Sequence, residues 1–135
     1  MLESLLPVVI GIVSGAFGYW FSTFFMQPIL RYRDIKNQVL KDFIYYAQVV
    51  NVEGLDDGMQ ALFRERVLAN RRSSAMLSAA IEELPKLYKF YLNYKGYHPK
   101  EAARHLIGYS NTTDYSAAHK KEDAIRNHLG LPKDP

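Results

Sequence analysis

Cysteine is absent from this chain of 135 residues. The absence excludes a thiol nucleophile and a disulfide-stabilised fold, and it is compatible with the reducing cytoplasm. The sequence also lacks the GxSxG, P-loop, GxGxxG and HExxH motifs, which place nucleophiles, phosphates, dinucleotides and zinc in common enzyme classes. We therefore expect a protein that is not an enzyme and that binds neither a metal nor a cofactor.

Charge is absent from one long stretch near the N-terminus. Residues 5–30 (LLPVVIGIVSGAFGYWFSTFFMQPIL) contain no Asp, Glu, Lys or Arg. As a helix this stretch rises roughly 39 Å, which exceeds the roughly 30 Å hydrocarbon core of a bilayer. We expect residues 1–30 to form a transmembrane anchor. A cleaved signal peptide and a buried core helix are the alternatives. A signal peptide begins with basic residues, whereas the residues before this run carry one acidic side chain and no basic one.

The flanking charges predict how the anchor is oriented. Only Glu3 precedes the apolar run, whereas Arg31, Arg33 and Lys36 follow it directly. Basic residues favour the cytoplasmic side of a membrane. We therefore expect a single-pass protein of the inner (cytoplasmic) membrane, with residues 31–135 in the cytoplasm and membrane lipids as its first partners.

Small residues form a stripe along the predicted anchor, at spacings of three and four. In lipid, small residues allow close approach of two helix backbones, and this packing drives helix association. The stripe predicts a homo-oligomer formed through the membrane helix, although glycine is also common in membrane helices that do not associate. The stripe residues are Gly11, Ser14, Gly15, Gly18 and Ser22.

The rest of the chain, residues 31–135, has the pattern of one all-α domain. Apolar residues recur at helical spacing in residues 29–50, with Ile35, Val39, Phe43, Ala47 and Val50 on one face. The turn-rich segment 51–58 (NVEGLDDG) ends this helix, and a second helix follows to about residue 84. Further helices are predicted over residues 85–94, 99–110 and 116–129. The predicted fold is a transmembrane helix followed by a small cytosolic helical bundle.

Two details of these helices have alternative interpretations. Asn70 and Ser74 interrupt the apolar stripe of the second helix, and we favour an exposed patch over a buried polar contact or an interface. In the third helix, lysines alternate with aromatic residues. We favour a core face formed by Leu84, Leu87 and Tyr91, with membrane contact and base stacking as alternatives.

Basic side chains supply a predicted docking surface for a cytosolic protein partner or for lipid phosphate. A solvated face is the alternative explanation, and the net charge of +3 is too small to predict a nucleic-acid partner. The docking candidates are Arg31, Arg33, Arg64, Arg71, Arg72 and Lys89.

The segments EAARHLIGYSN (residues 101–111) and DAIRNHL (residues 123–129), placed behind a membrane helix, resemble parts of small uncharacterised bacterial single-pass membrane proteins with a helical cytosolic domain. This resemblance implies an architecture and a bacterial origin, and no activity. The layout is also similar to membrane accessory proteins of antiviral systems that assemble into pores.

The predicted function is therefore self-association of a membrane-anchored helical protein, with a membrane-disrupting or pore-type effector of bacterial antiviral defence as one form of it. The alternative is a monomeric tether that docks a cytosolic partner through its basic patches.

Overall fold

The computed structural model describes residues 2–47, 57–112 and 115–132, and these residues form five α-helices with no strand. Helix α1 spans Leu2–Tyr45 as one continuous helix that includes a π-helical turn. It is followed by α2 (Asp57–Glu83), α3 (Lys86–Tyr94), α4 (Pro99–Asn111) and α5 (Tyr115–Leu129). The prediction of an all-α fold is confirmed.

Helix α1 has two halves with different surroundings. Its 44 residues extend roughly 66 Å, and none of residues 2–21 is buried. Among the described helices, α1 alone is long and apolar enough to cross a membrane. The second half packs on α2 through a buried stripe of Tyr32, Ile35, Val39 and Phe43. The first half of α1 is thus an exposed apolar segment, and the second half is part of the core of the domain.

The predicted C-terminal end of α1, at residue 50, lies beyond the end in the structure. Helix α1 ends at Tyr45, and Ala47 is an exposed turn residue instead of a core residue. Val50 and most of the predicted break at 51–58 lie outside the described residues, while Asp57 and Gly58 already belong to α2.

Helix α2 occupies the centre of the domain because it packs on α1 and on α4, and α4 packs in turn on α5. Its C-terminal half follows the predicted stripe, with Leu77 and Ile81 buried. Across the packed faces lie mostly small and aliphatic side chains. These are Ala102, Ala103, Leu106, Ala118, Ile125 and Leu129.

Proline and glycine lie at ends of the three short helices, whose bounds agree with the predicted ranges to within one residue. Pro85 separates α2 from α3, and Pro99 occupies the first turn of α4. Gly96 and Gly130 follow the ends of α3 and α5 with φ of 79° and 69°. At Gly130 a side chain is also excluded by packing, since an added Cβ would lie 2.7 Å from the Tyr97 ring.

The structure corrects two predicted surfaces, the first in full and the second in part. Asn70 and Ser74 are buried, and the Ser74 hydroxyl donates a 2.7 Å hydrogen bond to the Ala103 carbonyl, so this gap is a buried polar contact between α2 and α4. Of the predicted core face around α3, Leu84 is buried as expected, whereas Leu87 and Tyr91 are exposed. The side of α3 that packs on the core carries Tyr88 and Leu92 instead.

Candidate functional site

The small-residue stripe lies on the exposed half of α1. Every member is exposed, and a Cβ added at Gly11, Gly15 or Gly18 would meet nothing within 4 Å. No part of the described chain covers this surface. A second helix therefore has unobstructed access to the backbone of α1 along the stripe.

A π-helical turn interrupts the α-helical hydrogen bonding of α1 at Ser22–Met26. The amide of Gln27 donates to the Ser22 carbonyl five residues back, and Pro28 comes directly after this turn. Proline has no N–H and its ring clashes with the preceding turn, and a wider turn accommodates both effects within one continuous helix. The π-turn therefore lies near the end of the uncharged run, within one continuous helix.

Aromatic side chains stack along α1 immediately before and through the π-turn. Phe17 stacks on Phe21 and Phe21 stacks on Phe25, with ring centroids 6.2 and 4.9 Å apart. Trp20 contacts Phe17 and Phe24. These contacts stay within α1 and leave the small-residue stripe uncovered.

The docking candidates near the end of the apolar run have different surroundings. Arg31 forms an ion pair with Glu83, which joins α1 to the last residue of α2. Arg33 lines a cavity between α1 and α3. Lys89 faces a separate cavity beside α4.

The three candidates on α2 are also not equivalent. Arg71 donates a 2.7 Å hydrogen bond to the Asn111 side chain at the end of α4. Burial raises the pKa of the Asp42 carboxyl, and hydrogen bonds from Gln38 and Ser73, followed by the charge of nearby Arg72, oppose that increase. Arg64 is exposed. The six predicted docking residues thus have different local contacts and do not form one continuous surface.

Arg66 lies between exposed Arg64 and Arg71 in the sequence, yet its side chain is fully buried. Its guanidinium lies 4.5 Å from the centroid of the Tyr109 ring, and Nη2 donates to the Tyr109 carbonyl at 3.2 Å. Burial raises the pKa of the Tyr109 phenol, while the charge of Arg66 opposes that increase. Its spacing of four from Asn70 places Arg66 on the buried face, but an arginine is an unexpected core residue.

A second arginine is buried in α5. Arg126 donates to Glu122 at 3.1 Å and to the Pro132 carbonyl, and its guanidinium lies 5.4 Å from the centroid of the Phe43 ring. This ion pair and the carbonyl contact hold the residues after α5 against the core. Both Nη atoms of Arg126 are thus bound within the chain, whereas its buried Nε has no hydrogen-bond partner among the described residues.

Three histidines meet where α4 and α5 lie side by side. The rings of His98 and His105 each have their centroid 5.7 Å from that of His128. Burial, followed by the proximity of these two rings, lowers the pKa of His128. Within the described ranges, no group of three or more His, Cys, Asp or Glu side chains has the arrangement of a metal site.

No family model, curated protein or solved structure matches this chain.

Proposed function

We propose that this protein is a single-pass membrane protein that self-associates through α1 and holds its helical domain at the cytoplasmic face. The observation that carries the proposal is the exposed, uncharged half of α1, which continues directly into a half that packs on the domain.

The exposed half of α1 needs an apolar environment. Leu5, Ile12 and Phe17 are 53%, 67% and 62% exposed, and they represent a continuous apolar surface around the helix. Exposed apolar surface of this extent is typical of proteins that contact a membrane or a partner. A helix also satisfies its own backbone hydrogen bonds, as hydrocarbon requires.

Orientation follows from the charges at the two ends of the apolar run. All 17 lysines and arginines follow residue 30, and Arg31 and Arg33 lie directly after the apolar residues of α1. The bias of basic residues toward the cytoplasm supports a cytoplasmic helical domain.

Self-association is supported by the open stripe, because hydrophobic force between helices is weak in lipid and close packing at small residues replaces it. Residues 5–30 carry no charge that would line an ion path. Pore formation in antiviral defence thus stays a hypothesis, which conductance measurements on the purified oligomer would test.

The test is the molar mass of the full chain in detergent, measured by light scattering with the detergent contribution subtracted. We expect an oligomer for the natural sequence and a monomer for Gly11→Leu/Gly15→Leu, because leucine side chains keep the backbones apart. The matched control is Val9→Leu/Val13→Leu, which has the same spacing on another face of α1 and should keep the oligomer.

A monomer in all three samples would overturn self-association. The tether would then be the remaining function, with exposed Arg64 and Arg72 as the first residues to test for partner binding.

A further inference from the structure

Helix α3 exposes an apolar and aromatic face that the domain leaves uncovered. Leu87, Phe90, Tyr91 and Tyr94 recur at helical spacing and are 73%, 71%, 47% and 79% exposed. Lys86 and Lys95 flank this face at the two ends of the helix. An amphipathic helix of this composition is typical of a segment that lies in the interface of a membrane.

The contacts of α3 place it beside the end of the apolar run. The ion pair between Arg31 and Glu83 brings the end of α2 to α1, and α3 begins three residues after Glu83. The ring of Tyr88 packs edge-on against Tyr32, with centroids 6.1 Å apart. Helix α3 therefore lies at the level where α1 leaves the proposed membrane.

A cavity of about 590 Å³ lies between α1, α3 and the end of α5, a size in the usual range for small-molecule sites. Ile29, the penultimate residue of the uncharged run, lines it together with Arg33 and Lys36 on the same side of α1. The remaining walls are mainly aromatic and aliphatic. They consist of Tyr88, Tyr91, Leu92, Tyr97, Leu129 and Gly130.

The cavity has an excess of positive charge. Among the described residues, neither Arg33 nor Lys36 forms an ion pair with a carboxylate. Burial, and next the charge of Arg33, lowers the pKa of the Lys36 ammonium, so a bound anion would relieve an unfavourable arrangement.

The α5 terminus does not oppose an anion strongly. Its carbonyls are partly occupied, because Gly130 donates to Asn127, Leu131 donates to Arg126 and His98 donates to His128. The partial negative charge that a helix C-terminus presents is reduced when its carbonyls accept hydrogen bonds.

We propose that this cavity binds the headgroup of an anionic phospholipid of the cytoplasmic leaflet, with Arg33 and Lys36 at the phosphate and the exposed face of α3 in the interface beside it. The inference rests on the membrane placement proposed above and deepens it by naming the lipid class. A lipid headgroup and free phosphate would both present a phosphate anion to the cavity. The position of Ile29 and α3 at the end of the apolar run favours the lipid.

The experiment uses the full chain, delipidated in detergent, with phosphatidylglycerol or phosphatidylcholine added in mixed micelles. Retained lipid is counted by native mass spectrometry, and affinity is taken from the lipid dependence of the melting temperature. We expect selective retention of phosphatidylglycerol. A basic residue near an anionic surface contributes about a fivefold gain in affinity, so Arg33→Gln/Lys36→Gln should weaken binding by about 30-fold.

The matched control is Lys41→Gln/Arg104→Gln, which removes the same two residue types from exposed positions outside the cavity lining. It should retain the affinity of the natural sequence. The melting temperature in phosphatidylcholine alone shows whether each variant is folded, and the selectivity of the natural sequence tests the proposal independently of any variant.

Three outcomes would overturn the inference. These are equal retention of both lipids by the natural sequence, equal weakening in the two double variants, and the same stabilisation by inorganic phosphate alone, which would assign the cavity to a soluble anion. Carbonate extraction of cell membranes separates this failure from that of the proposed function. A chain that resists extraction but shows no lipid selectivity loses only the lipid site, whereas an extractable chain loses its membrane placement.

Discussion

Arg66 is the residue whose surroundings depart most from its chemistry. It is fully buried, and its Nε and Nη1 atoms have no hydrogen-bond partner among the described residues. Each buried donor left unpaired costs about 1–3 kcal/mol, and the Tyr109 contacts offset only part of this cost. Arg66 is therefore a costly residue that fills a space in the core.

From this balance we predict opposite outcomes for two substitutions at position 66. Arg66→Met should keep or increase the free energy of unfolding, because a flexible apolar side chain fills much of the volume without unpaired donors. Arg66→Ala should lower it by about 2–5 kcal/mol, because it leaves a cavity. Thermal unfolding in detergent, followed by circular dichroism, compares them.

The control for this pair is Arg64→Met, an exposed position two residues away, where a change within about 0.5 kcal/mol is expected. If Arg66→Met were as destabilising as Arg66→Ala, the guanidinium would be making a favourable interaction that Met cannot replace.

At the scale of elements, α3 makes a direct prediction about the membrane interface. Trp20 is the single tryptophan, so Phe90→Trp in a Trp20→Phe background reports on the exposed face of α3 alone. In vesicles containing lipid brominated near the headgroup, its fluorescence should be strongly quenched. We expect this quenching because the exposed face of α3 lies in the membrane interface.

The control for α3 is Leu68→Trp in the same background. Leu68 is 63% exposed on α2, but it lies about 22 Å along the helix from Glu83 and should not be quenched. Equal quenching at both positions, or none at either, would contradict an interfacial α3.

The ends of the three short helices could be predicted from sequence, and the buried face of α3 could not. Pro85, Pro99 and Gly130 act locally through the backbone, so their effects are visible in the sequence. Helix α3 carries apolar residues on both sides, and only its tertiary contacts decide that Tyr88, and not Leu87, packs on the domain.

The same distinction applies to the candidate sites. The stripe around Gly11 and Gly15 follows from spacing within one helix, so the sequence could locate it. The cavity at Arg33 and Lys36 is closed by Tyr97 and Leu129, which are distant in sequence. Because no local pattern relates these residues, only the folded chain brings them together.

At the scale of the whole molecule, the unbroken α1 joins the apolar rod to the core of the domain. Tyr32 is already buried in the core, although it lies only two residues after the uncharged run. This short distance keeps the domain close to the proposed membrane surface. Any orientation of α1 in the bilayer therefore also sets the side on which the domain lies.

This coupling predicts a single topology, and the absence of cysteine makes it measurable. Leu2→Cys places one thiol at the start of α1 and Ser116→Cys places one in the first turn of α5, both at exposed positions. A membrane-impermeant maleimide should label Leu2→Cys in intact spheroplasts and Ser116→Cys only in inverted vesicles, because the basic residues after residue 30 favour the cytoplasm. The unmodified chain supplies the unlabelled control. Labelling of Ser116→Cys in intact spheroplasts would show the opposite orientation, and would place the Arg33 cavity at the other leaflet.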